Sequence, residues 1–321
     1  MSRRVLVTGG AGFIGSHVVA TLEDQGRDVT VLDDLSTGRR ANLAGRRARF
    51  VHGSIADPAA LSDAFADVGK VVHLAALPSV ARSVERPIDT HHACATGTLM
   101  VLDAARQRGA RVVYAGSSSA YGDQQAQQKH EDLREDPLSP YAAAKLAGEL
   151  YCRSFARVYG LQVVVTRFFN VFGPRQPADS PYSGVIAAFC RALLDGRPVR
   201  IDGDGGQARD FTYVEDVVAG VLQALDGDSP GCATVNLAYG QSTTVLQLYA
   251  ALCELAQPHL GGRPIPPPVH AAPRRGDVRH SLADASRAAA LFGFAPRIGF
   301  AAGLARTFDW YRTQSGTGNQ P

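Results

Sequence analysis

Short apolar runs alternate with longer amphipathic stretches along most of this chain. Strand-like runs occupy residues 4–8, 28–32, 48–52, 70–74, 111–115 and 161–168, and several carry apolar residues at consecutive positions. A run apolar on both faces suits a strand covered by helices on both sides. Helical patterns lie between them, at 16–22, 58–66, 87–108 and 141–159, and a further one follows at 184–194. Strand and helix in strict alternation predict an α/β fold with a doubly wound parallel sheet. Right-handed crossovers bring all the strand C-termini to one edge, so the segments 53–55, 75–80 and 116–122 should line one cleft.

The turn after the first run reads G-G-A-G-F-I-G, with Gly10, Gly12 and Gly15 in the G-x-G-x-x-G spacing. Between a strand and a helix this spacing means a dinucleotide site, because bare backbone can approach a pyrophosphate at a helix N-terminus. The second run leads into Asp33 and Asp34. A carboxylate there accepts from the adenosine ribose hydroxyls and repels a 2'-phosphate, so the expected cofactor is NAD. The fold is thus expected to be Rossmann-type, with the dinucleotide domain over residues 1–170, segments around 205–240 returning to it, and a smaller α/β substrate-binding lobe formed mainly by 171–321.

The stretch S-P-Y-A-A-A-K-L-A, residues 139–147, places Tyr141 and Lys145 one turn apart on a helix opened by Pro140. A lysine ammonium near a phenol favours the phenolate, a usable base. Ser117, Ser118 and Ser119 fall where a strand meets the cleft edge, where a hydroxyl can bond a substrate oxygen. On position alone these serines could equally cap a turn.

Composition excludes more than it adds. The 321 residues are 45% hydrophobic and 20% charged with a net charge of +3, signs interspersed, so neither a nucleic-acid surface nor a membrane face is expected. The five cysteines (94, 152, 190, 232 and 253) form no CxxC pair and no metal-ligand spacing, which suggests free thiols and no metal. The N-terminus runs directly into a strand pattern without a leader-like apolar region, so the cytoplasm is the expected compartment. His73, His91 and His92 have no obvious partners and read as structural or solvated. The run 264–268 reads as a stiff connector and the tail 314–321 as loose.

Taken in order, TGGAGFIGSH, DDLSTG, HLAA, SSSAYG, SPYAAAK, RFFNVFGPR, the GDG–RDFTYV segment and RRGDVRHS resemble the extended short-chain dehydrogenase/reductases of the nucleotide-sugar epimerase and dehydratase group. The likeness is greatest to the UDP-glucose and UDP-N-acetylglucosamine 4-epimerases. It implies tightly bound NAD held by Gly9, Gly12, Phe13, Ile14, Gly15, Asp33, Asp34, Thr37, Gly38, Ser54, Ile55, Leu74, Ala75, Ala76, Tyr141, Lys145 and Phe168. It implies a UDP-sugar held by Ser79, Ser117, Ser119, Asn170, Val185, Val199, Ile201, Arg209, Arg274, Asp277 and Ser281. In that family a tyrosinate, here Tyr141, takes the proton of the sugar 4-hydroxyl while the 4-hydride passes to NAD and returns to the other face of a 4-ketose. Lys145 supports the phenolate, and Ser117 shares the proton, with Ser118 as the alternative.

The resemblance also frames the substrate. The 4,6-dehydratases carry Thr-Asp-Glu in the serine triplet and the decarboxylases a Glu, so three serines favour simple epimerisation. Ser281 stands where the 4-epimerases gate the C2 substituent, and a serine leaves room for N-acetyl groups. UDP-Glc/UDP-Gal and UDP-GlcNAc/UDP-GalNAc are therefore expected. UDP-glucuronate is the alternative, through Arg82, Arg175 or Ser79, and a dehydratase, decarboxylase or net oxidoreductase lies behind it. Ser54 replaces a usual Asp, Pro78 a common Lys, and Cys94 a usual Asn. Family members pair through two long helices, so a homodimer is expected.

Overall fold

The structure, a computed structural model, describes residues 4–124, 126–179, 183–229, 231–273 and 278–316. The first six apolar runs become β1 (Arg4–Thr8), β2 (Val29–Asp33), β3 (Arg49–His52), β4 (Val68–His73), β5 (Arg111–Ser117) and β6 (Val163–Phe168). Short strands follow: β7 (Val171–Phe172), β8 (Arg200–Asp202), β9 (Ala208–Asp210), β10 (Thr212–Tyr213), β11 (Cys232–Leu237), β12 (Ser242–Thr244) and β13 (Val269–Ala271). Among the described residues seven strands form one parallel sheet in the order β11-β6-β5-β4-β1-β2-β3. The order reverses direction at β1, which places the switch point of the sheet beside the glycine turn.

The helices are α1 (Phe13–Asp24), α2 (Pro58–Ala64), α3 (Val80–Glu85), α4 (Pro87–His91), α5 (Gly97–Arg108), α6 (Pro140–Tyr159), α7 (Val185–Leu194), α8 (Val214–Asp226), α9 (Val245–Ala256), α10 (Ser286–Phe292) and α11 (Phe300–Gly316). Alternate strand residues feed two cores. Val5, Val7, Val31, Val113 and Val164 pack with α1 and α8, whereas Leu6, Leu32, Val112, Val163 and Val165 pack with α2, α5 and α6. The smaller lobe gathers α7, α9 and α11 beside the paired strands β8–β13 and β9–β12.

Three expectations need correction. The single helix over 87–108 is interrupted by a π-helical segment, His92–Thr96, between α4 and α5. The described part of the tail, 314–316, belongs to helix α11, held by Leu304, Phe308 and Tyr311 buried against the core, and 317–321 lie outside the described residues. The strand run at 161–168 begins only at Val163. The cysteines are free, and no helix among the described residues is long and apolar enough to cross a membrane.

The helix α6 is tied to the sheet by buried charge. Arg167 on β6, 0% exposed, donates to Glu149 of α6 through Nε at 3.0 Å and Nη2 at 2.6 Å, and to Glu135 at 2.8 Å. Arg153 of α6 also bonds Glu135, at 2.7 Å, and Glu149. Burial opposes the Arg167 charge, but the hydrogen bonds and attraction from Glu149 outweigh it and raise its pKa. Removing one partner of such a pair strands a buried charge. Glu149→Ala is expected to cost about 3–5 kcal/mol, measured by chemical denaturation; a loss below about 1 kcal/mol would show that Arg167 is not left as a stranded charge.

Candidate active site

The cleft edge of the sheet opens into a cavity of about 1010 Å³ that runs from the glycine turn to the N-terminus of α6. At the dinucleotide end, Gly9 has φ of +70°, and a Cβ there would meet the Ala75 nitrogen at 2.8 Å. A Cβ on Gly15 would run into the Gly9 carbonyl oxygen, so the helix can sit this close to the turn only with glycine at 15. Asp33 at the end of β2 accepts from the backbone N–H of Ala11 at 2.9 Å and of Leu35 at 2.8 Å, and burial raises its pKa. Gly38 lies over this carboxylate, with room for a Cβ only at 2.9 Å from an Asp33 oxygen.

The other end holds the reactive side chains. Ser139 caps α6 by accepting from the Ala142 N–H at 3.1 Å, and Pro140 follows at the first helical position, so Tyr141 enters the cavity from the first turn. Ser117, the last residue of β5, caps a 3-10 turn and accepts from the Ser119 N–H at 3.2 Å; the two hydroxyls lie 2.7 Å from each other. The Tyr141 phenol lies near the Ser117 side chain. Burial raises the Tyr141 pKa, with Cys94 adding to it, and the Ser117 side chain opposes. Burial lowers the pKa of Lys145, which is 3% exposed, against raising contributions from Cys94, Cys152 and Glu149.

Most of the expected site residues converge. Gly9, Gly12, Phe13, Ile14, Gly15, Asp33, Asp34, Thr37, Ser54, Ile55, Leu74, Ala75, Ala76 and Phe168 line the cavity, as do Ser79, Ser117, Ser118, Ser119, Tyr141, Lys145, Asn170, Arg209 and Ser281. Val199 and Ile201 do not: at 1% and 0% exposure their side chains belong to the core, because residues two apart on a strand share a face. Val185 packs against the same core, and its neighbour Gly184 meets the cavity instead. Arg274 and Asp277 lie outside the described residues. Lys129, Gln176 and His280 line the cavity without having been expected. Lys129 is buried in a loop, its N–H donated to the Leu282 carbonyl at 2.7 Å, a contact that no local pattern announces.

His73 is not solvated. Its Nε2 meets Thr98 Oγ1 at 3.0 Å and its Nδ1 meets Thr8 Oγ1 at 2.7 Å. Thr98 donates to the Cys94 carbonyl at 2.6 Å and so accepts from the ring, which leaves Nδ1 to accept from Thr8. This neutral ring links the glycine turn strand to the first turn of α5.

A Rossmann sheet with a glycine cradle, an acid at the end of β2 and a Ser-Tyr-Lys set at one cavity defines an NAD-dependent enzyme of the short-chain dehydrogenase/reductase type. The cradle that a Cβ would fill and the half-satisfied Asp33 carboxylate fit NAD. The chain belongs to the NAD dependent epimerase/dehydratase family, whose model matches residues 5–238. It is 39% identical to the UDP-glucose 4-epimerase of Mycolicibacterium smegmatis over 97% of this chain and 99% of that one. The structure resembles that of a UDP-glucose 4-epimerase from Thermotoga maritima with UDP-glucose, with TM-score 0.91, 37% identity and coverage of 97% and 99%. It also resembles a UDP-N-acetylglucosamine 4-epimerase from Methanobrevibacter ruminantium with UDP-N-acetylmuramic acid, with TM-score 0.90, 35% identity and coverage of 98% and 99%. Sugar-nucleotide dehydratases and decarboxylases are among the relatives as well.

Burial holds the His73 pKa at about 3, below its ordinary 6.5. The stability supplied by the neutral ring is therefore complete above pH 6.5 and is lost as pH falls toward 3, by about 1.4 kcal/mol per pH unit. His73→Gln is expected to flatten the fall of unfolding free energy with acid by about one proton's slope, measured by denaturant titration from neutral pH downward; an unaltered slope would place the acid sensitivity elsewhere.

Proposed function

We infer that the chain is a UDP-sugar 4-epimerase that acts on UDP-Glc/UDP-Gal and on UDP-GlcNAc/UDP-GalNAc and retains its NAD between turnovers. The observation that carries this reading is the hydroxyl-only triplet Ser117–Ser119 around Tyr141, a single proton-exchanging phenol without a neighbouring carboxylate from the triplet. Water elimination needs a further acid and base, whereas oxidation and reduction at one carbon need only one group to take and return one proton. NAD, when bound, supplies the acceptor and donor of the hydride. Tyr141 takes the proton of the 4-hydroxyl, Ser117 holds the same oxygen, and Lys145 supplies the positive charge that the phenolate lacks in this dry cavity.

Arg209 suits the diphosphate, because a guanidinium presents a fork of donors to phosphate oxygens. Asn170, Ser79 and Gly184 line the same cavity and are assigned to the nucleotide sugar. Ser281, 8% exposed, stands at the cavity wall and leaves space for an N-acetyl group. UDP-glucuronate is the second reading, favoured by Arg82 and Lys129, two cations on the cavity lining. Five free cysteines agree with a cytoplasmic enzyme.

Incubation with UDP-Glc, UDP-GlcNAc and UDP-glucuronate without added NAD, followed by proton NMR of the anomeric signals, is expected to show the C4 epimer of the first two. Tyr141→Phe should lower kcat by about a thousandfold, and Ser281→Tyr should remove turnover of UDP-GlcNAc while sparing UDP-Glc. A 4-keto product or released carbon dioxide would move the enzyme to another branch of the family.

The same reading includes a homodimer. Ile88 on α4 and Leu150, Val158 and Tyr159 on α6 are exposed apolar side chains, at 67%, 52%, 67% and 55%. Light scattering is expected to give twice the chain mass, and Val158→Glu with Leu150→Glu to give the monomer; a monomeric wild type would refute the pairing.

A further inference from the structure

Lys145 is a buried cation that lacks an ion-pair partner among the described residues. What it meets is an aromatic face. Its ammonium lies 4.3 Å from the ring centroid of Tyr114, a β5 side chain that is 0% exposed. The Tyr114 hydroxyl donates to the main-chain carbonyl of Lys145 at 3.0 Å. One side chain therefore touches the lysine twice, at its charge and at the helical turn from which it rises.

The ring reaches this position because α6 makes room for it. A Cβ on Gly148, one turn after Lys145 at the next position but two, would collide with the Tyr114 hydroxyl and lie 2.8 Å from its Cζ. The ring also lies beside His73, its neighbour across β4 and β5, with centroids 5.6 Å apart, and its backbone carbonyl accepts from Thr166 at 3.1 Å. A ring walled in this way has one place to lie. A desolvated ammonium over a π face is held in its charged form by the ring quadrupole without any counter-carboxylate, which would otherwise compete with the phenolate for the same charge.

We propose that Tyr114 is the positioning residue of this site, keeping Lys145 charged and fixed in place so that its ammonium serves Tyr141. The inference rests on the reading of Tyr141 as base and Lys145 as its electrostatic support. The titratable groups that face Lys145 are Tyr114 and His73 from the sheet, Cys94 from the π-helical segment, and Glu149 and Cys152 from α6, with Tyr141 one turn earlier on the same helix. Tyr114 itself stays a phenol, since burial raises its pKa.

The test compares NAD-loaded wild type with Tyr114→Leu and Tyr114→Phe in kcat as a function of pH, using the UDP-sugar that wild type turns over. Loss of the ring weakens the charge on Lys145 and its support of the phenolate. The leucine variant is therefore expected to lose at least about tenfold in kcat, with the acid limb moved up and the alkaline limb moved down. The phenylalanine variant keeps the ring and should lose about threefold with both limbs in place. Equal profiles for the two variants, or a lower rate with unmoved limbs, would overturn the proposal. Should the leucine variant fail to fold, Gly148→Ala pushes the ring from the helix side and is expected to narrow the profile in the same sense; unmoved limbs there overturn it equally. If wild type turns over no UDP-sugar, the function reading has failed. The phenolate absorbance of NAD-loaded protein, referenced to Tyr141→Phe, then decides this inference alone: a Tyr141 midpoint unchanged by Tyr114→Leu sinks it.

Discussion

Where α6 lies on the sheet decides where Tyr141 and Lys145 point, and that position depends on the Arg167–Glu149 pair beneath it. Taking two charges out of water costs several kcal/mol for each ion, and the loss is offset only when hydrogen-bond geometry is close to ideal. Glu149 is 1% exposed and Arg167 is 0% exposed, so a helix displaced by even a fraction of a turn would break the pairing between two buried charges. The pair contributes little net stability by this reasoning. Its effect is to rule out neighbouring placements of α6, and so to bring the N-terminal turn of α6 against Ser117 at the end of β5.

The dry surroundings shift Tyr141 and Lys145 in opposite directions. Burial favours neutral Tyr141 and neutral Lys145 alike, raising one pKa and lowering the other. Either charge alone is disfavoured, whereas phenolate and ammonium together form a dipole that low dielectric strengthens. The pair is thus neutral in net charge whether both groups are charged or both are not. Beside the phenol, the Ser117 hydroxyl lies 2.7 Å from that of Ser119.

Much of this was legible in the residue pattern, for a physical reason common to its parts. A glycine turn, an acid at a strand end, a capped helix start and a Tyr-Lys pair one turn apart are each local rules of backbone geometry. Val199 and Ile201 show the limit: family register gave the segment, but strand alternation turned these side chains into the core. Lys129 and His280 show another. They reach the cavity through pairings between distant loops, Lys129 with Leu282 and Ala208 with Arg279, and no periodicity encodes such pairings. The π-helical segment was likewise invisible, because its composition, His-Ala-Cys-Ala-Thr, differs little from that of an ordinary helix.

That segment sets a phase relation between two parts of the molecule. A π turn carries one residue more than an α turn, so α4 and α5 are rotated about their common axis by roughly 100° relative to an unbroken helix. On one side of the insertion Ile88 faces outward, and on the other Val101 and Leu102 face the sheet. A single-residue deletion within 92–96 would restore a regular helix and swing the outward residues around it while every core contact of α5 stayed in place. The angular setting of the outer surface is thus governed by the chain length of the five-residue π-helical segment, and not by the residues of that surface.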